Sequence, residues 1–395
     1  MGGTLLRALV IIIIGVGGAA AFYWVGNLIT ERVLPKEAGE RVRPYVFILP
    51  ALFVVTVYLL YPMIDTIRRS FYGDRFVDGE RPFVGLDNYA DAITGDGIPP
   101  IAIILAVAAI VIGVVVGITN RMPPGDARGA RMRTWTFAVL GLGLLATFVI
   151  NVVDEGSLTG DSPVWAAIYN NVLWILVVPS GAVAIGLLVA VLADRLPPRL
   201  ENVSKSMIFM PMAISFVGAS VVWQLVYAIE TTGEQTGILN AIVVNLFNAE
   251  PIAWLEREAF NDFALMVIMI WLQAGFAMVL LSAAIKSVPE DTIEAARIDG
   301  ANEWQIFWRV VVPQIRSTIV VVLTTILITV LKVFDIVRVL TNGRDDTQVV
   351  ANLFFTNFEN GAYGSAGVLV VLLVLATIPF MLINVKRFRE QEAAR

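Results

Sequence analysis

Nine stretches of this chain run for about twenty residues with almost no charge, at about 5–29, 45–67, 101–119, 134–153, 168–193, 206–228, 262–286, 317–340 and 364–385. A hydrocarbon core about 30 Å thick takes roughly 20 residues of helix to cross. Within it, each backbone N–H and C=O must find its partner inside the protein. The pattern therefore predicts an all-α polytopic membrane protein with about nine transmembrane helices. Composition agrees: 57% of the 395 residues are hydrophobic and 15% charged, against about 25% charged in soluble chains. The longest connectors, 68–100, 229–261 and 341–363, are too short to bury an ordinary soluble core.

Basic residues in short loops set orientation. RMPPGDARGARMR (121–133) holds four arginines and one acid, DRLPPRLENVSK (194–205) and the tail KRFREQEAAR are basic, and the connector around 289–315 brings Arg297, Arg309 and Arg316. These four are expected on the cytoplasmic side, with the acidic DEGSLTGDSP (154–163) and AIETTGEQTG (228–237) outside. The C-terminus is then inside. The first run, with IIIIGVGGAAA, reads either as a signal peptide or as an uncleaved helix. Cleavage would put the four basic residues of TERVLPKEAGERVRP outside, which favours the helix.

The chain has no cysteine and no histidine, so thiolate and imidazole metal sites, Cys nucleophiles and Ser-His-Asp triads are excluded. There is no G-x-x-x-x-G-K-[ST] pattern, so nucleotide chemistry would come from another polypeptide. A net charge of −5 without a basic tract argues against nucleic acid as a partner.

One connector is too long for a turn: PEDTIEAARIDGANEWQIFWRVVVPQI, 289–315. Ser287 with Glu290 reads as a capping box opening a helix over about 288–299, with Glu290, Asp291 and Glu294 at its positive end. Gly300 supplies a C-terminal cap, and Asn302 with Gln305 restarts a second helix that is expected to end before Pro313. Trp304, Phe307 and Trp308 fall on one stripe, and Ala295 and Ala296 permit close approach of another backbone. Such a two-helix knob serves either as a docking element or as an interfacial helix on the headgroups.

Polar residues inside spans are functional candidates by default. Thr325, Thr329 and Lys332 share one helical face, and Asp335 can pair with Lys332 three residues on. Alternatively, Lys332 snorkels to the outer interface. Gln273, with Trp271 and Phe276, is the one strongly polar group midway along its span. It serves either a ligand or interhelix packing.

EAARIDGANEWQIFWRVVVP resembles the cytoplasmic EAA motif of binding-protein-dependent ABC importer permeases, through Glu294, Ala295, Ala296, Asp299, Gly300, Ala301, Phe307 and Pro313. ILPALFVVTVYLLYPMIDTIRRSFY and VFDIVRVLTNG are similar to the carbohydrate branch, specifically the larger maltose-transporter permease subunit. The resemblance implies a type I ABC importer transmembrane-domain fold in a multi-pass plasma (inner) membrane protein of a bacterium or archaeon. It also implies partners: a second homologous permease, two ATPase subunits carrying ATP and Mg, and an extracytoplasmic sugar-binding protein. Glu294 would pair with a basic group of the ATPase. Gln273, Phe276, Thr325, Thr329 and Lys332, with Met212 and Ser215 as a third wall, would surround an α-glucoside or other oligosaccharide. The division expected is 1–44 extra helix and linker, 45–100 first core helix and outer loop, 101–153 inserted hairpin, and 154–395 core permease domain with its coupling loop at 288–316. The first helix and the hairpin are additions to the six helices of the family, and GRDDT replaces its glycine-rich ending after TNG. The competing functions are an ion-driven secondary transporter and an intramembrane glycosyltransferase. Neither calls for an EAA knob.

Overall fold

A computed structural model describes residues 10, 15, 17–18, 21–28, 35–77, 79–120, 127–153, 158–230, 233–257 and 260–393. Most of the first predicted span lies outside these residues, as do 121–126 of the arginine-rich turn and 154–157 of the next loop. Regular structure among the described residues is helical. β pairing there is limited to two isolated bridges, Tyr72 with Phe83 and Val77 with Glu80.

The chain forms two units, Met1–Arg69 and Ser70–Arg395. In the first, α1 (Lys36–Val55) continues through a π turn (Thr56–Leu60) into Tyr61–Arg69. The π turn comes just before Pro62: Tyr61 N–H reaches back to Thr56 O, and the widened turn accommodates a ring that lacks an N–H.

The second unit comprises α2 (Asp87–Thr94), α3 (Pro100–Asn120), α4 (Ala127–Val153), α5 (Pro163–Ala193), α6 (Pro198–Phe209), α7 (Phe216–Val226), α8 (Ile238–Phe247), α9 (Asn261–Lys286), α10 (Glu290–Ile298), α11 (Glu303–Ile306), α12 (Arg316–Leu331), α13 (Asp335–Leu340), α14 (Val350–Glu359) and α15 (Tyr363–Ala393). Its core is the α5–α9 pair. Trp174, Leu265, Met266, Ile268, Met269, Leu272, Met278 and Leu281 are fully buried there. Gly186 sets the spacing, since a Cβ on it would lie 2.6 Å from Ala277 Cβ and 2.8 Å from Met278 N. Close backbone approach through small residues is how helices associate without a hydrophobic driving force.

Four described helices are long and apolar enough to cross a membrane: Pro44–Arg69, Pro163–Ala193, Asn261–Lys286 and Tyr363–Leu382. Counting each of two bent pairs as one span brings the number up to six: Pro198–Ala213 with Phe216–Val226 at 104°, and Glu303–Gln314 with Arg316–Leu331 at 70°. These six correspond to the second and the fifth to ninth predicted spans. The hairpin 101–153 appears as α3 and α4, of which α3 contributes a shorter apolar helix. The span predicted at 206–228 is corrected to a broken one: Met210–Ala213 is a 3-10 turn holding Pro211, and Ser215 starts α7 by accepting from Gly218 N at 3.1 Å. The span predicted at 317–340 is likewise interrupted, since α12 ends at Leu331 and α13 begins at Asp335.

Buried asparagines satisfy backbone groups at helix ends and in loops. Asn171 donates to Leu331 O at 3.2 Å and accepts from Val350 N at 2.8 Å. Asn170 donates to Gln348 O at 2.9 Å and to Asp346 O. Asn240, fully buried, donates to Ala228 O and Ile252 O and accepts from Ile252 N and Trp254 Nε1. At the N-terminus of α15, Asp74 accepts from Gly364 N at 2.6 Å and from the Ser365 hydroxyl at 2.5 Å, placing a carboxylate at the positive end of the helix.

Candidate functional site

The connector folds as a knob. The predicted Ser287 cap is corrected: α10 begins at Glu290 after Pro289 without a side-chain cap, and the Ser287 hydroxyl donates instead to Ala284 O at 2.7 Å. Ser287 still belongs to the end of α9, where its N–H bonds back to Ala283 O and Ala284 O. At the other end of α10, Gly300 adopts φ +81°. Ala301 N donates to Ala296 O and Gly300 N to Arg297 O, both at 3.0 Å. This pair of bonds is the Schellman closure of a helix, and Ala296 and Ala301 pack together beneath it. Asn302 and Gln305 then form the expected capping box, at 2.9 and 3.0 Å.

The second helix does not stop before Pro313. A π turn, Phe307–Val311, carries it past the proline through Val312–Gln314, and the chain bends only at Ile315. Beneath the knob, Ala284, Ile306, Val311 and Ile315 are buried with Val288, Ile293 and Phe307 against them, so the knob is fastened to the end of α9. The predicted aromatic stripe divides accordingly: Phe307 turns inward, while Trp304 and Trp308, edge to face at 5.6 Å, stay exposed. Glu294, Ala295, Asp299, Gly300 and Pro313 are exposed, and Ala296 and Ala301 are half-buried. Ile298 of the same knob is 86% exposed. The sequence reading missed it because it directly precedes the helix cap.

Above the knob, Lys205 bridges Asp194 at 2.5 Å, Glu201 at 2.6 Å and Ser282 at 2.5 Å. Lys286, in the last turn of α9, binds Glu201 as well. This network ties the ends of α5, α6 and α9 together.

Further along α9, roughly 20 Å at 1.5 Å per residue, lies a cavity of about 370 Å³. Its walls are the bend between α6 and α7 (Met212, Ile214, Ser215, Phe216, Val217), α9 (Leu272, Gln273) and the first residue of α13, Asp335. Gly275 lets the end of α6 close on α9 here, since a Cβ on it would lie 2.4 Å from Ile208 O. Of the predicted binding residues, Gln273, Met212 and Ser215 come together here. Phe276 packs into the main core, and Trp271 stands edge to face with Trp223 at 5.8 Å. Thr325 and Thr329 bond back to Val321 O and Thr325 O of their own helix and do not line the cavity.

The Lys332–Asp335 pairing is a correction. Lys332 caps α12 at φ −112°, ψ 29°, outside helical geometry, and among the described residues it forms no ion pair with Asp335. The break puts Asp335 in the cavity wall, which a continuous-helix reading could not find.

The family model of the binding-protein-dependent transport system inner membrane component matches residues 182–388, which hold α9, the knob and the cavity. The chain belongs to this family. The permease is similar to the alpha-glucoside transport system permease protein AglF of Rhizobium meliloti (strain 1021), 38% identical over 97% of this chain and 96% of that protein. It is 40% identical, over 88% of its length and 100% of the relative, to the osmoprotective compounds uptake permease protein GgtC of Synechocystis sp.. Its fold matches a crystal structure of a bacterial ABC transporter involved in the import of the acidic polysaccharide alginate, with TM-score 0.60 and 17% identity over 90% of this chain and 98% of that one. The permease is thus a multi-pass membrane transport subunit rather than an enzyme, and the readings as secondary transporter and glycosyltransferase fall away.

Proposed function

We propose that this permease carries a carbohydrate, an α-glucoside or other oligosaccharide, across the plasma membrane of a bacterium or archaeon. It would pair with a second homologous permease, two ATPase subunits that bind ATP and Mg, and an extracytoplasmic sugar-binding protein. The observation that carries the reading is the knob. Its corner is closed by a Schellman motif and a capping box and seated on α9, while Ile298, Trp304, Trp308 and Glu294 stay in the open. Exposed apolar side chains on a rigid corner that also carries Glu294 suit a cleft on an ATPase, and the rigidity lets closure of that cleft move α9 and the cavity wall.

Names of the relatives support a sugar or a small osmoprotective solute. Gln273 and Ser215 offer the amide and hydroxyl groups that hydrogen-bond such solutes, with Met212 and Phe216 as apolar surface. Co-purification in mild detergent tests the assembly: an ATPase subunit is expected to stay with the wild type and to be lost from Trp304→Asp. Retention in the variant would remove the knob from the contact.

A further inference from the structure

We infer that Asp335 is a specificity-determining residue that restricts the cavity to uncharged polyhydroxylated solutes and rejects anionic ones; the inference rests on the reading of this cavity as the solute site. Three observations lead to it. Gln273 is 8% exposed, and among the described residues its amide makes no hydrogen bond to the protein. A buried amide that opens onto a cavity keeps two donors and an acceptor for what enters. Asp335 is the single charged group in the lining, and no lysine or arginine stands with it.

The bases nearest in sequence do not pair with it. Lys332 forms no ion pair with Asp335 among the described residues. Arg338 is held by Asn342 and Glu359, both at 2.7 Å, and lies over the Phe355 ring at 4.8 Å. The cavity therefore presents one negative charge without a counter-charge in its wall. A hydroxyl satisfies that carboxylate by donating to it, and a pair of neighbouring sugar hydroxyls suits its two oxygens. A ligand carboxylate or phosphate has no proton to give and meets repulsion. At an effective dielectric of about 20, two like charges close to contact distance change affinity by tenfold or more. Ser215 adds a hydroxyl whose oxygen already accepts from Gly218 N, leaving its proton for a ligand acceptor. Neither Ser215 nor Gln273 offers an anion a compensating charge.

The test uses two probes that differ only at C6, methyl α-glucoside with a neutral hydroxymethyl there and methyl α-glucuronide with a carboxylate. Each is titrated by saturation-transfer NMR onto the assembled importer in nanodiscs without its binding protein, so that only the membrane site discriminates. The wild type is expected to prefer the glucoside by about tenfold or more, Asp335→Asn to narrow the gap below about threefold, and Asp335→Lys to reverse it. A gap unchanged in Asp335→Asn, or equal binding by the wild type, overturns the charge rule while leaving the cavity as the solute site. Binding of neither probe overturns the cavity reading, and the inference with it. Should the Asp335 variants fail to assemble, Gln273→Glu decides: a second negative charge widens the gap, and an unchanged ratio overturns the inference.

Discussion

Asn171 bonds to two chain breaks at once and should be among the residues least tolerant of change. Asn171→Leu leaves Leu331 O and Val350 N without their partner in a buried setting, at about 1–3 kcal/mol each. Thermal unfolding of the purified permease should show a Tm several degrees lower. Thr325→Val should leave Tm unchanged, because the Thr325 hydroxyl bonds only to its own helix at an exposed position. Gly275→Ala forces a Cβ toward Ile208 O, so α6 must move off α9. The expected result is about 1–3 kcal/mol of destabilisation and reduced uptake from cells in which the protein is inserted normally. At this scale the sequence was partly legible. Gln273 stood out because it interrupts an apolar run, whereas Asn171 and Gly275 did not, and Asp335 stood out only as a partner for Lys332. Their roles depend on a break and a crossing that local pattern does not encode.

Among the elements, the knob was read most fully, because caps are local. Gly300, Asn302 and Gln305 signal their geometry within a few residues. Ser287 misled because Pro289 begins α10 without help from a side chain. Pro313 misled because a π turn can carry a helix past a proline, as it does before Pro62. Span position was legible for the six helices above, but the two sharp bends were not. Pro211 marks the first and Pro313 lies two residues before the second, while no proline or glycine marks the separate break between Lys332 and Asp335. Gly300→Val should strain the corner by about 1–2 kcal/mol and loosen the ATPase contact, lowering the solute-stimulated ATPase rate. The network above the knob makes a separate prediction. Glu201→Lys sets three cations, with Lys205 and Lys286, around Asp194 and should slow uptake several-fold. Adding Lys286→Glu should recover most of the loss; no recovery would mean that the Glu201–Lys286 bond does not join α6 to α9.

For the whole molecule, the account is one of transmission. Knob, α9 and the α6–α7 bend form a continuous packed path from an exposed apolar face to a cavity with one acid and one unpartnered amide. Family membership makes the permease one component of a larger transport machine, and the knob is the surface by which we propose it is driven. The most direct measurement of that claim is solute uptake, alongside membrane abundance, in cells expressing the full importer with Glu294→Lys in this chain. The account predicts wild-type abundance with uptake abolished. Uptake at the wild-type rate would contradict it.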